Sequence, residues 1–162
     1  MMTRPLLSVE TLAVHYGKVS ALRGVSLTAA RGEVVGIVGE SGCGKTVSAL
    51  SLLRLIPNPP GKIVGGEILF EGKDLLKAGK EEICNIRGNK IAMIFQEPMT
   101  SLNPVLTIGQ QIGEPLVTHQ KMKKKQAAVK AASALTEVNI PDSSKRINDY
   151  PHQFSGGMCQ RA

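Results

Sequence analysis

One eight-residue stretch constrains the fold of this chain more than any other. Residues 39–46 read Gly-Glu-Ser-Gly-Cys-Gly-Lys-Thr, which fits the pattern G-x-x-x-x-G-K-[ST]. The apolar residues 34–38 predict a buried strand before it, and residues 47–56 predict a helix after it that Pro57 closes. A strand, a glycine loop and a helix in this order are the context in which such a loop binds the phosphates of a nucleotide. The alternative, a glycine-rich turn with a chance lysine, explains neither flanking element.

The residue types of the loop suit the chemistry of phosphate binding. Its glycines allow backbone conformations that a Cβ would forbid, so that N–H groups point inward and form a nest for an anion. The positive N-terminal end of the following helix adds to that attraction. Lys45 is placed to reach the β- and γ-phosphates, and Thr46 to put its hydroxyl on Mg²⁺. We interpret Cys43 as a small loop residue rather than a nucleophile, because no histidine is nearby in the sequence to activate it. The predicted nucleotide-binding residues of the loop are Gly39, Glu40, Ser41, Gly42, Cys43, Gly44, Lys45 and Thr46.

Composition narrows the class of protein. The 162 residues are 42% hydrophobic, which is enough for a globular domain with its own core. We recognise no signal peptide and no stretch as long as a membrane-spanning helix. The three cysteines are widely spaced and form no metal-ligand pattern, so we expect a reducing compartment.

The net charge of +7 allows three interpretations: binding of nucleic acid, contact with an anionic membrane surface, or only the bias of a fragment. Much of the excess lies in Lys121-Met122-Lys123-Lys124-Lys125, where we favour a solvated helix face or loop. Aromatic residues make up only 3% of the chain, and none lies among these lysines. A stacking platform for single-stranded nucleic acid is therefore disfavoured.

The first part of the chain predicts short strands and turns. Residues 7–14 alternate partly between apolar and polar, Gly17-Lys18 makes a turn, and residues 21–27 resume an extended conformation. Residues 67–70 predict a further strand that a turn follows.

The composition changes in the second half. The apolar residues 91–95 predict a short buried parallel strand. Residues 107–137 then follow a mostly helical pattern, rich in alanine toward its end. We expect three prolines to divide this region into segments: Pro104, Pro115 and Pro141.

A second glycine motif lies near the end, where residues 150–158 read Tyr-Pro-His-Gln-Phe-Ser-Gly-Gly-Met. Ser155 is suited to cap a helix that begins at the glycines. Two glycines at a helix start again expose backbone N–H groups to an anion. On its own, Ser-Gly-Gly is explained equally well by a plain loop or cap, so its value depends on the other motifs.

Together these motifs resemble those of the ATP-binding-cassette (ABC) ATPases. The loop at 39–46, Gln96 at the end of a strand, and residues 154–158 occur in that family's order and at plausible spacing. Residues 95–104, Phe-Gln-Glu-Pro-Met-Thr-Ser-Leu-Asn-Pro, are similar to the dipeptide and oligopeptide importer branch, which includes nickel importers. Residues 150–154 are similar to the same branch, and the resemblance covers essentially the whole chain.

The resemblance implies a role for each matching residue. Tyr16 matches the aromatic residue that stacks on adenine. Gln96 matches the catalytic glutamine that touches Mg²⁺ and the attacking water and relays the nucleotide state to transmembrane subunits. Ser155, Gly156 and Gly157 match the signature that closes on ATP bound by the opposite subunit. A plain structural explanation stays open for Tyr16 and for Gln96, since each ends a predicted strand.

The cofactors that the resemblance implies are ATP and Mg²⁺, with Thr46 and Gln96 as protein ligands of the metal. The implied partners are transmembrane permease subunits, a second ATPase subunit, identical or paralogous, in a head-to-tail dimer, and indirectly a solute-binding protein, but no nucleic acid. The implied location is peripheral, on the cytoplasmic side of the inner membrane. Cys159 stands where that branch usually has arginine, and the lost positive charge implies either a weaker attraction of phosphate beside the signature or a weaker interface contact.

The implied fold class is α/β: a P-loop NTPase core of the ABC type with an N-terminal antiparallel β subdomain and an inserted helical subdomain. We expect residues 1–103 to hold the β subdomain and the P-loop core, residues 104–154 the helical subdomain, and residues 155–162 the start of the signature helix. The family's second aspartate, catalytic glutamate and switch histidine are absent, so we expect an N-terminal fragment whose core lacks its C-terminal part. Such a chain should be marginally folded and should not turn over ATP.

The implied function is that of the ATP-binding subunit of an ABC importer, which couples ATP binding and hydrolysis to uptake of peptides or a related small solute. Two alternatives stay open: a non-catalytic nucleotide-binding fragment, and a non-transport ABC protein that acts in DNA repair or on ribosomes. A repair protein would need a long coiled-coil insertion and a ribosomal protein tandem cassettes, and the sequence shows neither.

Overall fold

The computed structural model describes residues 4–95 and 101–162. Two compact units follow each other along the chain, Met1–Arg87 and Gly88–Ala162. The three-part division drawn from the motifs, with boundaries after residues 103 and 154, stays a prediction.

The first unit is built on an antiparallel sheet of four strands in the order β2-β1-β3-β4. These strands are β1 (Leu7–Tyr16), β2 (Val19–Ala29), β3 (Gly61–Phe70) and β4 (Lys73–Asp74). The predicted turn at Gly17-Lys18 is confirmed, because it joins β1 and β2 as a hairpin.

The alternation of β1 is only partial because the strand is irregular in its middle. The pairing of β1 with both neighbours shifts register around Leu12, and Thr11 has a positive φ of 47°. Gly66 of β3 faces this irregularity, where an added Cβ would lie 2.6 Å from the Leu12 Cα. The irregularity lets Val9, Leu12 and Val14 all remain buried.

Two helices complete the first unit, α1 (Lys45–Leu52) and α2 (Lys80–Ile86). Helix α1 begins two residues earlier than predicted and ends well before Pro57, so the prediction that the proline closes it is wrong. Arg54 takes a left-handed conformation with φ 51°, and an α-helix cannot continue through a residue in that conformation. The Arg87 guanidinium then donates to the carbonyl oxygens of Leu53 and Arg54, at 2.8 and 2.9 Å.

The predicted buried strand at residues 34–38 is not formed. In the described part of the chain this segment pairs with no strand, and its side chains are exposed, with Val34 at 95% and Val38 at 97%. An apolar run becomes a buried parallel strand only where neighbours supply a hydrogen-bond ladder and cover both faces. The apolar pattern of residues 34–38 indicates that they could form a strand, but it does not show which strands would pair with them.

The predicted buried strand at residues 91–95 is also not formed. Residues 92–95 belong to no strand of the described chain, and Ile94 is 96% exposed. The reason is the same, since no ladder within residues 88–95 or 101–162 receives this segment.

The second unit is helical, which confirms the prediction for residues 107–137. Its elements are α3 (Ile108–Gln120), α4 (Lys124–Glu137), α5 (Ser143–Arg146), a 3₁₀ turn (Pro151–Gln153) and α6 (Gly156–Arg161). Its core contains the buried side chains of Ile108, Leu135, Ile140, Phe154 and Cys159. No helix within the described ranges is both long and apolar enough to cross a membrane.

Pro115 was expected to divide the helical region, and it does not, because it lies inside α3. The helix is stabilised at both ends, so it survives the one backbone hydrogen bond that proline removes. At its start, Thr107 and Gln110 form a capping box, in which each side chain accepts from the backbone N–H of the other residue. At its end, the left-handed Lys121 stops the helix and the Met122 N–H donates to the Leu116 carbonyl at 3.2 Å.

Candidate phosphate-binding site

The glycine loop has the backbone that the motif predicts. Gly42 and Gly44 have φ values of +80° and +101°, in the left-handed region that favours glycine. Gly44 is the N-cap of α1, so the loop passes directly into the first turn of that helix.

Lys45 folds back across the loop. Its Nζ donates to the carbonyl oxygens of Gly39 and Glu40, at 2.6 Å each, and lies 3.6 Å from the Cys43 Sγ. The ammonium group therefore spans the first part of the loop and holds a positive charge there. A fixed charge beside a nest of backbone N–H groups favours the binding of an anion at this loop.

The start of α1 is open toward the loop. No side chain caps the helix, so the backbone N–H groups of its first turn are free to bind an anion. Thr46, the second residue of the helix, is exposed at this end. A threonine hydroxyl is a hard oxygen ligand of the kind that Mg²⁺ takes together with water and phosphate.

The loop is fixed to strand β2 by close packing at Gly44. A Cβ at Gly44 would lie 2.6 Å from the Leu22 Cδ2 and 3.2 Å from the Ala21 carbonyl oxygen. On the other side, the Ser48 hydroxyl donates to the Gly44 carbonyl at 3.0 Å. Sequence reasoning missed Leu22, although its apolar position opposite Val14 in the hairpin is a signal of burial.

Tyr16 lies at the same end of the hairpin as the loop. It ends β1 and pairs with Val19 and Gly61, two positions beyond the pair that Val14 makes with Leu22. An added Cβ on Gly61 would lie 2.9 Å from the Tyr16 Cε1, so the ring covers that glycine. The ring is half-buried and leaves part of its surface open.

The serine-glycine motif lies in the second unit. Ser155 is the N-cap of α6, and its Oγ accepts from the Met158 N–H at 3.3 Å, so the predicted cap is confirmed. Ser155, Gly156 and Gly157 are all exposed. Gln96 lies outside the described residues.

Three residues around this motif hold it in place. Phe154 and Cys159 are buried in the core of the second unit, one on each side of the exposed residues 155–157. The Arg161 guanidinium donates to the carbonyl oxygens of Val138 and Asn139, at 2.8 and 2.9 Å. Cys159 therefore faces the core, with its Sγ 3.5 Å from the Pro151 carbonyl oxygen, rather than a phosphate. Sequence reasoning missed Arg161, whose only signal was its place in the last turn of a short helix.

The structure thus brings residues 39–46 together as one loop and places Tyr16 in the same unit, while residues 155–157 form an exposed helix start in the other unit. Within the described residues, no three His, Cys, Asp or Glu side chains are grouped as a metal site would require. Among the described residues, the glycine loop is therefore the strongest candidate for a ligand-binding site.

The sequence was compared with known families and curated proteins. The family model described as ABC transporter matches residues 22–162. The chain is 51% identical to the probable peptide ABC transporter ATP-binding protein y4tR of Sinorhizobium fredii, over 97% of this chain and 48% of that protein. It is 50% identical to the oligopeptide transport ATP-binding protein OppD of Bacillus subtilis, over 96% of this chain and 45% of that protein. The chain spans about half the length of these curated relatives.

Solved structures give the same fold. The dimeric structure of MJ0796, a bacterial ABC transporter cassette, matches with a TM-score of 0.79 at 25% identity, over 96% of this chain and 66% of that one. A bacterial Atm1-family ABC exporter with ATP bound matches with a TM-score of 0.69 at 24% identity, over 99% of this chain and 26% of that one. These likenesses confirm the predicted α/β fold class with its antiparallel sheet and helical part.

Proposed function

We propose that this chain, which belongs to the ABC transporter family, serves as ATP-binding machinery for a peptide importer. The observation that carries the proposal is the loop at 39–46, where Lys45 lies across a turn with two left-handed glycines at the open start of a helix. The named functions of the relatives, peptide and oligopeptide transport, support peptides as the solute.

In this proposal the loop residues bind the phosphates of ATP. Backbone N–H groups of the loop and of the first turn of α1 surround the phosphates, and Lys45 supplies the charge. Its ammonium already points along the loop, so phosphate binding requires it to give up or share its carbonyl partners at Gly39 and Glu40. Tyr16 stacks on the adenine, since it lies at the same end of the hairpin as the loop.

The loop offers an oxygen ligand suited to a bound Mg²⁺, the hydroxyl of Thr46. The exposed hydroxyl of Thr46 and the amide of Gln96 would hold the ion, which when bound neutralises charge that develops on the phosphates. Gln96 would also position the attacking water, which gives it the catalytic role. Glu40, Ser41 and Cys43 complete the loop around the phosphates.

The exposed motif at residues 155–157 suits contact with a second ATPase subunit. An N-cap serine and two glycines present backbone N–H groups without covering side chains. We infer that they close on ATP held by the loop of an opposing subunit, and the relative described as dimeric supports this arrangement. Transmembrane permease subunits and, through them, a solute-binding protein complete the proposed assembly on the cytoplasmic face of the membrane.

The proposal is tested by nucleotide binding. We expect the 162-residue chain to bind a fluorescent ATP analogue in the presence of Mg²⁺, and Lys45→Ala to weaken binding at least roughly tenfold, since one charge-assisted hydrogen bond to phosphate is worth about 1.5–3 kcal/mol. The matched control is Lys80→Ala, at an exposed position in the same unit. Equal affinity of Lys45→Ala and the unchanged chain would refute the proposal, as would the absence of binding by the unchanged chain.

A further inference from the structure

The turn between α3 and α4 is the most strongly charged surface of the second unit. It contains Lys121, Lys123, Lys124 and Lys125, which are all exposed. Residues 115–136 contain five lysines and no aspartate or glutamate, so no acidic side chain is nearby in the sequence to neutralise them. We call residues 121–125 the lysine turn.

Within residues 4–95 and 101–162, no ion pair joins the lysine turn to an acidic side chain. Cations that do form ion pairs lie elsewhere, and they include Arg31, Lys73, Lys77 and Arg146. Glu114 lines the same groove as Lys124 but forms no ion pair with the lysine turn, so the four ammonium groups repel one another. Close like charges of this kind favour an external anion.

The backbone concentrates these charges at one tip. The left-handed Lys121 ends α3, only Met122 and Lys123 follow, and α4 begins at Lys124. The two helices pack against each other just behind this turn, where a Cβ on Gly113 would touch the Ala127 Cβ at 3.5 Å. All four lysines are thus held at the end of one helical hairpin.

The start of α4 adds a second electrostatic reason for an external anion. The first turn of a helix favours acidic residues, but α4 has none there and no side-chain cap. Lys124 and Lys125 instead place two positive charges at the positive end of the helix. An anion at this position would offset both the helix dipole and the lysines.

Apolar surface lies beside the lysines. Met122 is only half-buried within the turn, and Val129, one helical turn beyond Lys125, is 68% exposed. Next to them, a groove of about 400 Å³ between α3 and α4 is lined in part by Val117, Lys124 and Ala128. No Phe, Tyr or Trp lies within residues 101–149 to form a stacking platform for bases.

We propose that the lysine turn contacts the anionic phospholipid headgroups of a membrane surface. Clusters of four or more lysines bind such surfaces, and the adjoining apolar side chains suit the boundary between headgroups and acyl chains. This contact is separate from the nucleotide site, because it requires neither the loop nor ATP. It gives a membrane-attached protein a direct hold on lipid in addition to any hold on other subunits.

The test is binding of the 162-residue chain to lipid vesicles, measured by sedimentation at low salt without nucleotide. We expect binding to vesicles that contain phosphatidylglycerol and not to vesicles of phosphatidylcholine alone. Changing the four lysines to glutamine, K121Q, K123Q, K124Q and K125Q, should weaken binding to the anionic vesicles roughly 10²–10³-fold.

The matched control changes four exposed lysines elsewhere, K18Q, K62Q, K80Q and K145Q. Both variants lose four charges, so a general effect of net charge would weaken both equally and would overturn the proposal. Equal binding to the two vesicle types would also overturn it, as would retention of the unchanged chain on RNA but on neither vesicle. Unfolding and nucleotide binding of each variant, measured in parallel, separate a loss of this surface from a loss of the fold or of the proposed ATP site.

Discussion

At the scale of single residues, the loop depends on a glycine that combines two requirements. Gly44 takes a left-handed conformation and also approaches strand β2 so closely that an added Cβ would force its neighbours to shift. Leu22, whose Cδ2 lies nearest to that position, is buried. The motif therefore requires glycine here for packing as well as for phosphate access.

We expect Gly44→Ala to destabilise the first unit by about 1–3 kcal/mol, since it adds strain at positive φ and a contact with Leu22. Urea unfolding followed by circular dichroism measures this change. Gly36→Ala is the control, because Gly36 has open space around it and no positive φ, and should shift stability by less than about 0.5 kcal/mol. Equal effects of the two substitutions would show that the packing at Gly44 is unimportant.

At the scale of elements, helix α6 is too short to persist on its own, since isolated helices need roughly 12–15 residues in water. Its six residues are held by the Ser155 cap, by the buried Cys159, and by the bonds of Arg161 to the end of α4. Contacts at the C-terminal end of α6 therefore help to hold the exposed residues 155–157 at its start.

We expect Arg161→Ala to loosen this helix start. It removes bonds to the carbonyl oxygens of Val138, Asn139 and Gly157, which at an exposed site are together worth about 1 kcal/mol. Hydrogen exchange of the Met158 and Cys159 amides should become several-fold faster. Gln160→Ala changes the exposed neighbouring residue and should leave both amides unaffected; unchanged exchange in Arg161→Ala would contradict the role given to Arg161.

The elements that sequence predicted correctly are those with local signals. Gly17-Lys18 in the hairpin, the helical pattern from Thr107, and Ser155 before two glycines all act through neighbouring residues. Residues 34–38 and 91–95 failed because a parallel strand depends on partners distant in sequence, which an apolar run does not specify.

The candidate site divides in the same way. The left-handed glycines of the loop and the helix that follows them agree with the motif, because these signals are local to the chain; the binding roles of the loop residues stay a prediction. The contact of Gly44 with Leu22 and the bonds of Arg161 to α4 join residues about 22 positions apart. A short motif does not specify contacts between residues so far apart in the sequence, so sequence reasoning missed Leu22 and Arg161.

At the scale of the whole molecule, the chain has two separate cores. Side chains that include Val9, Leu12 and Ile68 are buried in the first unit, and the cluster around Ile108 and Leu135 is buried in the second. We therefore expect unfolding in two transitions, and a change confined to one unit should move only one of them.

The unfolding transition of the first unit should depend on pH through the ionisation of Asp74. Partial burial raises the pKa of this carboxyl, but the hydrogen bond and charge of Lys77 and the Leu76 N–H outweigh that effect, so its pKa lies below the usual value. The carboxylate bonds are 2.9 Å to the Lys77 Nζ and 3.0 Å to the Leu76 nitrogen. Because the folded pKa is lowered, the stabilisation is complete above about pH 4, the ordinary range of aspartate, and is lost as pH falls through the folded value.

Asp74→Asn should lower the stability of the first unit at pH 7 and flatten its decline below about pH 4. Urea unfolding at a series of pH values between about 2.5 and 7 measures both effects. Glu81→Gln removes one exposed carboxylate from the same unit and should decline with acid as the unchanged chain does. A variant at Asp74 with the same acid dependence as the unchanged chain would contradict this assignment.

The hydrogen bonds from Arg161 join α6 to the two residues that directly follow α4. The 14 residues of α4 extend about 21 Å, from Lys124 at one end to the carbonyls that Arg161 holds at the other. The lysine turn and the residues that Arg161 contacts therefore lie at opposite ends of one helix. The length of this helix therefore sets the distance between two exposed surfaces of the second unit, the lysine turn and the end of α6.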